Sequence, residues 1–293
     1  LWHKAVHQPH LPAPRHKSLY IDKELPTPPY DTHKETFKGK PEWQRKKTFG
    51  FDWKKNLPIP LELPEQEWPI NYDRNMDLLR CLSSIDESLG KVLATLEEMG
   101  ELDNTVIIYS SDNGYFMGEH TYLDKRLAYE NSMRVPMVIR YPELIHKNTT
   151  VKQKCLNIDL APTILNLAGL DIPNYMQGES MVDLLKGNDV DDWRDAILFE
   201  YFKDTYWPYA GPNQIAVRTD RYKLVDCFLK KDIDELYDLQ TDPGEMTNLI
   251  NDSSYDAVEK DLREQAILLK KQFKYNPNRD WWLKKVMNSK RIK

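Results

Sequence analysis

The strongest constraint on the fold is a helix-length apolar stripe that stops at a glycine and runs into a short β-branched segment. From Asn75 to Met99, Leu78, Leu82, Ile85, Leu89, Val92, Leu93 and Leu96 recur at intervals of three and four, which is the period of a helix burying one face. Gly100 supplies the stop. After the polar turn Glu101-Leu102-Asp103-Asn104, the run Thr105-Val106-Ile107-Ile108-Tyr109 reads as a buried strand. A helix feeding such a strand predicts half of a parallel α/β unit. Cys81 and Asp86 on the helix need no role beyond structure.

The strand ends in Ser110-Ser111-Asp112-Asn113-Gly114. In open α/β sheets ligands bind at the carboxyl ends of strands, and Asp112 and Asn113 present one charged and one neutral hard oxygen donor there. Gly114 lets the backbone turn away with no side chain in the path. Asp-Asn-Gly is also ordinary turn chemistry, so the residues after it carry weight. They are Gly118-Glu119-His120, Asp124-Lys125-Arg126, Tyr129-Glu130 and the strand-like Arg134-Val135-Pro136-Met137-Val138-Ile139. An imidazole, carboxylates and cations thus lie close behind the strand end.

Upstream, Leu1 to Tyr20 holds His3, His7, His10 and His16 among three prolines and several cations. The prolines forbid a regular helix. A polar surface loop accounts for any one of these rings, but four together point to chemistry. From Tyr20 to about Pro69 the chain is rich in Pro, Lys, Asp, Glu and Trp without periodicity and reads as a long surface excursion. Cys81, Cys155 and Cys227 are far apart with no metal-ligand spacing, the pattern of buried thiols rather than of a disulfide framework.

With 40% hydrophobic residues among 293, there is ample material for a core and for one to one and a half domains. A net charge of -5 argues against general affinity for nucleic acid or an anionic membrane. No apolar run reaches the length of a bilayer span and no signal-peptide pattern opens the chain. It begins at Leu1-Trp2-His3, without Met, in what reads as a strand end running into a functional loop. The expectation is that an N-terminal half precedes it.

The ordered run S-D-N-G-x-x-x-G-E-H, D-K-R-x-x-Y-E and R-V-P-M-V-I-R-Y-P resembles the latter half of the catalytic domain of the type I sulfatases, in the alkaline-phosphatase-like superfamily. The first segment resembles that family's H-K-A-V-H-x-P-x-x-P-A-x-R-H. The resemblance implies that Asp112 and Asn113 bind one calcium ion, with further ligands upstream, and that Lys125 binds the sulfate ester. It implies that His7 contacts the ester and helps protonate the leaving oxygen. His10 sits in a second H-x-P triplet; His7 is preferred because Lys4-Ala5-Val6-His7 and Pro12-Ala13-Pro14-Arg15-His16 then fall in register together. Lys4, His10 and His120 are the accompanying substrate-binding candidates. The family's nucleophile is a formylglycine made from a C/S-x-P/A-x-R motif, and none of the three cysteines has that context. The family setting suggests a periplasmic, secreted or lysosomal protein.

Beyond Gln153, Asp159 is placed to cap a helix carrying Ile164, Leu165 and Leu167 inward and ending at Gly169, similar to the family's D-x-x-P-T-x-x-x-x-A-G. Met176-Gln177-Gly178-Glu179-Ser180 and Leu184-Leu185-Lys186-Gly187 read as a loop and short helix before a boundary near Asp191. Then Ala196–Tyr201, Gln214–Thr219 and Tyr222–Val225 are short strands of an antiparallel sheet. Glu235-Leu236-Tyr237-Asp238-Leu239, with Asp242-Pro243-Gly244-Glu245 and Asn248-Leu249, resembles a structural signature of the family, ahead of a helix from about Ser254 to Phe273.

The expected fold is therefore α/β: the C-terminal half of an alkaline-phosphatase-like α/β/α sandwich over 1–190, and a small antiparallel α+β subdomain over 191–293. The expected function is hydrolysis of sulfate esters on a glycosaminoglycan or mucin-type glycan, with N-acetylglucosamine 6-sulfate as one candidate. This chain would be inactive alone, lacking the nucleophile. A phosphodiesterase or phosphonate hydrolase on the same scaffold is the alternative, and a non-catalytic carbohydrate-binding relic is the third reading.

Overall fold

Gly100 ends the first helix with a left-handed turn at φ +73. Its N–H reaches Glu97 O at 3.0 Å and the Glu101 N–H reaches Leu96 O at 2.9 Å, so the last carbonyls are satisfied before the chain turns into the strand. The computed structural model describes residues 1, 3–7, 9–24, 39–41, 44, 51–52, 57–58, 72–117, 119–121, 123–202, 213–226 and 233–275. Most of the 20–69 excursion, Gly118, Tyr122 and Cys227 lie outside them.

The described strands are β1 (Phe51–Asp52), β2 (Leu57–Pro58), β3 (Ile107–Ser110), β4 (Phe116–Met117), β5 (Leu123–Asp124), β6 (Met137–Arg140), β7 (Ile197–Tyr201), β8 (Gln214–Arg218), β9 (Tyr222–Asp226) and β10 (Glu235–Asp238). The α-helices are α1 (Tyr72–Glu98), α2 (Glu130–Met133), α3 (Leu160–Leu167), α4 (Val182–Leu185) and α5 (Asp256–Gln272). Among the described residues no helix is long and apolar enough to cross a membrane.

Two local expectations change. β3 begins at Ile107, because Thr105 belongs to the turn and donates its hydroxyl to Glu101 O at 2.7 Å. Its neighbour among the described residues is the antiparallel β6, with Ile108 opposite Ile139 and Tyr109 opposite Val138. Helix-then-strand order fixes only the succession of elements along the chain, whereas the neighbour is set by where residues 111–136 return. Met137 and Ile139 of β6 pack on Met181, Leu184, Leu185 and Trp193, with Cys155 against the same cluster. Burial first, and then the Asp159 charge, push the Cys155 thiol up to about 11, so it behaves as an inert core group.

Asp159 does not cap α3 with its side chain. It is fully buried. Its carboxylate accepts from Leu156 N at 2.7 Å, Glu179 N at 2.9 Å and Arg194 Nη1 and Nη2 at 2.5 and 2.7 Å. The residue therefore ties a 3-10 turn (Asn157–Asp159) to two later segments, and no helix period announces those partners.

The four later strands form one antiparallel sheet in the order β10-β9-β8-β7. Alternation divides its residues between two layers. Val217, Leu224 and Leu236 meet α5 at Leu262, Val258 and Leu269. Ala216 and Val225 meet Ala128 and Met133, while Tyr237 joins Phe116, Leu127 and Tyr129. The sheet is thus covered on one face by α5 and on the other by residues of 116–133. Leu262 is 1% exposed at the centre of the α5 contact. Leu262→Ala is expected to lower unfolding free energy by about 2–5 kcal/mol, measured by urea denaturation. A loss below about 1 kcal/mol would mean that this layer contributes little.

Candidate functional site

Gly114 anchors the loop that leaves β3. Its N–H donates to Ser132 O at 2.8 Å, and a Cβ there would overlap the Asn131 carbonyl backbone. A glycine is required by this close approach. Just before it, Asp112 is exposed, and its Oδ1 accepts from Asn113 N at 3.0 Å and Ser111 Oγ at 3.4 Å. Asn113 donates its amide N–H to Gly114 O at 2.7 Å, which commits the nitrogen and leaves the amide oxygen for a cation. Asn157 donates to Ser111 O and Asp112 O at 3.0 and 3.1 Å.

The hairpin of β4 and β5 pairs Phe116 with Asp124. Half-buried Lys125 follows β5 directly, and Tyr115 precedes β4, three residues past Asp112. The His10 ring meets the Tyr115 ring edge-on, with centroids 6.2 Å apart. The first segment and the strand-end loop, about a hundred residues apart in sequence, therefore come together at Tyr115.

Lys4 Nζ lies 3.3 Å from His7 Nδ1, and both residues are exposed. An ammonium only donates, so Nδ1 accepts and neutral His7 carries its proton on Nε2. His16 is different. It is buried, with Nδ1 2.8 Å from Ser84 Oγ and Nε2 3.1 Å from Glu87 Oε2. Together with Arg15 on Glu87 at 2.8 Å and Arg80 Nε on Leu19 O at 2.9 Å, it docks the first segment on α1. His120 is 1% exposed, with its ring 4.2 Å from that of Tyr129 and edge-on to Phe116.

Behind the hairpin lies a buried polar junction that periodicity does not reveal. Tyr129 OH donates to Glu235 Oε2 at 2.7 Å, and Tyr237 OH donates to the same oxygen. Lys40 Nζ donates to Tyr237 OH at 2.7 Å and Tyr129 OH at 3.2 Å, and Gln44 Nε2 donates to Glu235 Oε2 at 3.0 Å. Beside it, Lys223 Nζ bridges Glu245 at 2.7 Å and Glu130 at 2.9 Å. The available signal was the pair of signatures Tyr129-Glu130 and Glu235-Leu236-Tyr237, of which Tyr129 proves to be the partner of Glu235 and Tyr237. Burial, then the charge of Glu235, raise the Tyr237 hydroxyl well above the ordinary range.

Residues 6–170 match the family described as Sulfatase, and residues 118–272 match the one described as N-sulphoglucosamine sulphohydrolase, C-terminal. The chain belongs to the sulfatase family, in the alkaline-phosphatase-like superfamily. An N-acetylglucosamine-6-O-sulfatase of Bacteroides thetaiotaomicron is 37% identical over 204 residues, 68% of this chain and 36% of that protein. A solved structure in complex with its substrate D-glucosamine-2-N,6-O-disulfate superposes with a TM-score of 0.82 at 28% identity, over 94% of this chain and 65% of that one. A phosphonate monoester hydrolase of Agrobacterium radiobacter gives 0.64 at 28% identity, over 74% and 45%. The chain spans only 36% of the length of the first relative.

Sulfatases generally use a divalent metal. The chemistry of Asp112 and Asn113 fits one, as adjacent hard oxygen donors on an exposed loop with the amide nitrogen already committed. Among the described residues no three His, Cys, Asp or Glu side chains gather as a metal cluster, and a metal held by this pair would need further ligands.

Glu130 supplies a test of the junction. Its burial alone would raise its pKa, but the Lys223 charge and hydrogen bond, then those of Arg218, outweigh that and hold it at about 2, against an ordinary 4.5. A depressed carboxyl contributes stability that is present above pH 4.5 and lost as pH falls toward 2. Wild type is expected to exceed Glu130→Gln in stability by roughly 2 kcal/mol more at pH 6 than at pH 3. Urea midpoints at the two pH values check this, and an equal gap at both would show that Glu130 is not held ionised by its neighbours.

Proposed function

We propose that this chain forms part of a sulfuric ester hydrolase acting on sulfated carbohydrate, with N-acetylglucosamine 6-sulfate the first substrate to test. The observation that carries this reading is the contact at Tyr115, where His10 of the first segment meets the strand-end loop that bears Asp112 and Asn113. The names of the first relative and of the substrate-bound structure support the choice of substrate. No C/S-x-P/A-x-R motif occurs within the 293 residues, so activity assays call for the longer polypeptide.

In this reading Asp112 and Asn113 would hold a calcium ion, which when bound would offset ester charge and polarise the reacting centre. The Lys125 ammonium binds ester oxygens, and His10 shapes the mouth beside Tyr115. His7, when doubly protonated, gives its Nε2 proton to the departing alkoxide and is left as the neutral imidazole. His120 acts from behind, supporting the hairpin that leads to Lys125 through its ring contacts with Tyr129 and Phe116. The division near residue 190 into 1–190 and 191–293 belongs to the same proposal, with the two parts sharing the core of Phe116, Leu127, Tyr129 and Tyr237.

The likeness to a phosphonate monoester hydrolase favours a second reading, in which the same donors receive a phosphonate or phosphodiester. Both esters present tetrahedral oxygens, so parallel assays on aryl sulfate and aryl phosphonate separate the two.

Asp112→Ala is expected to reduce calcium affinity more than Asn113→Ala, because it removes charge as well as a ligand. Calorimetric titration decides this, and wild-type calcium binding by Asp112→Ala would end the metal assignment. His7→Ala is expected to slow sugar sulfates about 100-fold or more beyond aryl sulfates, whose phenolates leave unaided. His10→Ala is expected to show a smaller loss that does not depend on the leaving group. Equal losses on both substrates for His7→Ala would leave it only a binding role.

A further inference from the structure

We propose that Asn157 is a positioning residue for the metal-binding loop, an inference that rests on the calcium reading of Asp112 and Asn113. One amide nitrogen donates to two successive backbone carbonyls, Ser111 O at 3.0 Å and Asp112 O at 3.1 Å. Gripping both carbonyls restrains the peptide planes on either side of the Asp112 Cα, and so the direction in which that residue's side chain leaves the backbone. Within the loop itself the restraints are short-range bonds among Ser111, Asp112, Asn113 and Gly114. Those turn the chain but do not tie it to the scaffold on the side of Asp112.

The grip is useful only if Asn157 is itself held, and the structure shows how. The turn Asn157–Asp159 is fastened through Asp159, buried and bound by Arg194 at 2.5 and 2.7 Å and by Leu156 N at 2.7 Å. From the other side, the loop at 176–180 closes on it. Glu179 N donates to Asp159 at 2.9 Å, and Gly178 lies so close to the Ile158 carbonyl that any Cβ would overlap it. The Met176-Gln177-Gly178-Glu179-Ser180 segment thereby gains a purpose, seating the turn from which Asn157 reaches the site. Residues that hold a ligand in place commonly change metal affinity by about 10-fold to 100-fold when removed.

The test uses the complete protein and calcium alone, titrated calorimetrically after chelation, with Asp112→Ala as the control. Asn157→Ala and the isosteric Asn157→Asp both lose the donor, and each is expected to bind calcium about tenfold more weakly. Melting temperature in the presence of chelator is expected to stay at the wild-type value for both. Asn157→Asp also brings a negative charge toward the loop. If it bound calcium as tightly as wild type or tighter, Asn157 would be a ligand-side residue and the positioning role would fall. A melting temperature in chelator that dropped in step with affinity would mean general destabilisation and would overturn the proposal too. If Asp112→Ala kept wild-type affinity, the calcium reading itself would fail and take this inference with it; loss there with none at Asn157 would sink the inference alone.

Discussion

Glu235 Oε2 accepts hydrogen bonds from Tyr129, Tyr237 and Gln44 inside the core, and much of the molecule depends on that meeting. A buried carboxylate is tolerated only where donors and a counter-charge surround it. Here the charge comes from Lys40, which reaches Glu235 through the two tyrosine hydroxyls. Segments near residues 40, 129 and 235 must therefore assemble together. The same assembly covers the inner face of the four-stranded sheet, where Lys223, Glu235 and Tyr237 point inward by strand alternation.

The candidate site hangs from the edge of this junction. Tyr129 and Phe116 pack on each other and on Tyr237 or His120, which fixes the Phe116 end of the β4–β5 hairpin, just before Lys125. On the other side, the loop bearing Asp112 is held by the close approach of Gly114 to Asn131 and by Asn157. Exposed residues thus take their positions from buried ones. The first segment is placed by a third set of contacts, His16 and Arg15 on the Ser84–Glu87 face of α1.

Several elements were legible from local pattern. The α1 stripe and its Gly100 stop, the sheet over 197–238 and the last helix arise from periodicity and turn residues, which act over a few positions. The D-N-G strand end was readable because a strand tail, a carboxylate, an amide and a glycine lie side by side. Less legible was the burial of charged residues within the strands Tyr222–Asp226 and Glu235–Asp238. Their Lys223, Glu235 and Asp238 look solvent-facing in sequence and are fully buried in the fold. A charged residue on a strand reads as exposed unless its partner is known, and these partners, Glu130, Glu245, Tyr129 and Arg221, lie elsewhere in the chain.

Sequence alone determined the types of the longer elements, the family resemblance and the candidate donors, because those properties reside in short spans of side-chain chemistry and in their order. Only the tertiary structure decided that β3 lies antiparallel to β6, that Asp159 ties Arg194 and Glu179 rather than capping a helix, and that His16 belongs to α1. It also decided that Asn157 grips the loop of Asp112. Each of these is a meeting between residues well apart in the chain. Such a meeting is selected by which arrangement best pairs buried charges and polar groups, a condition on the whole molecule that no local window contains.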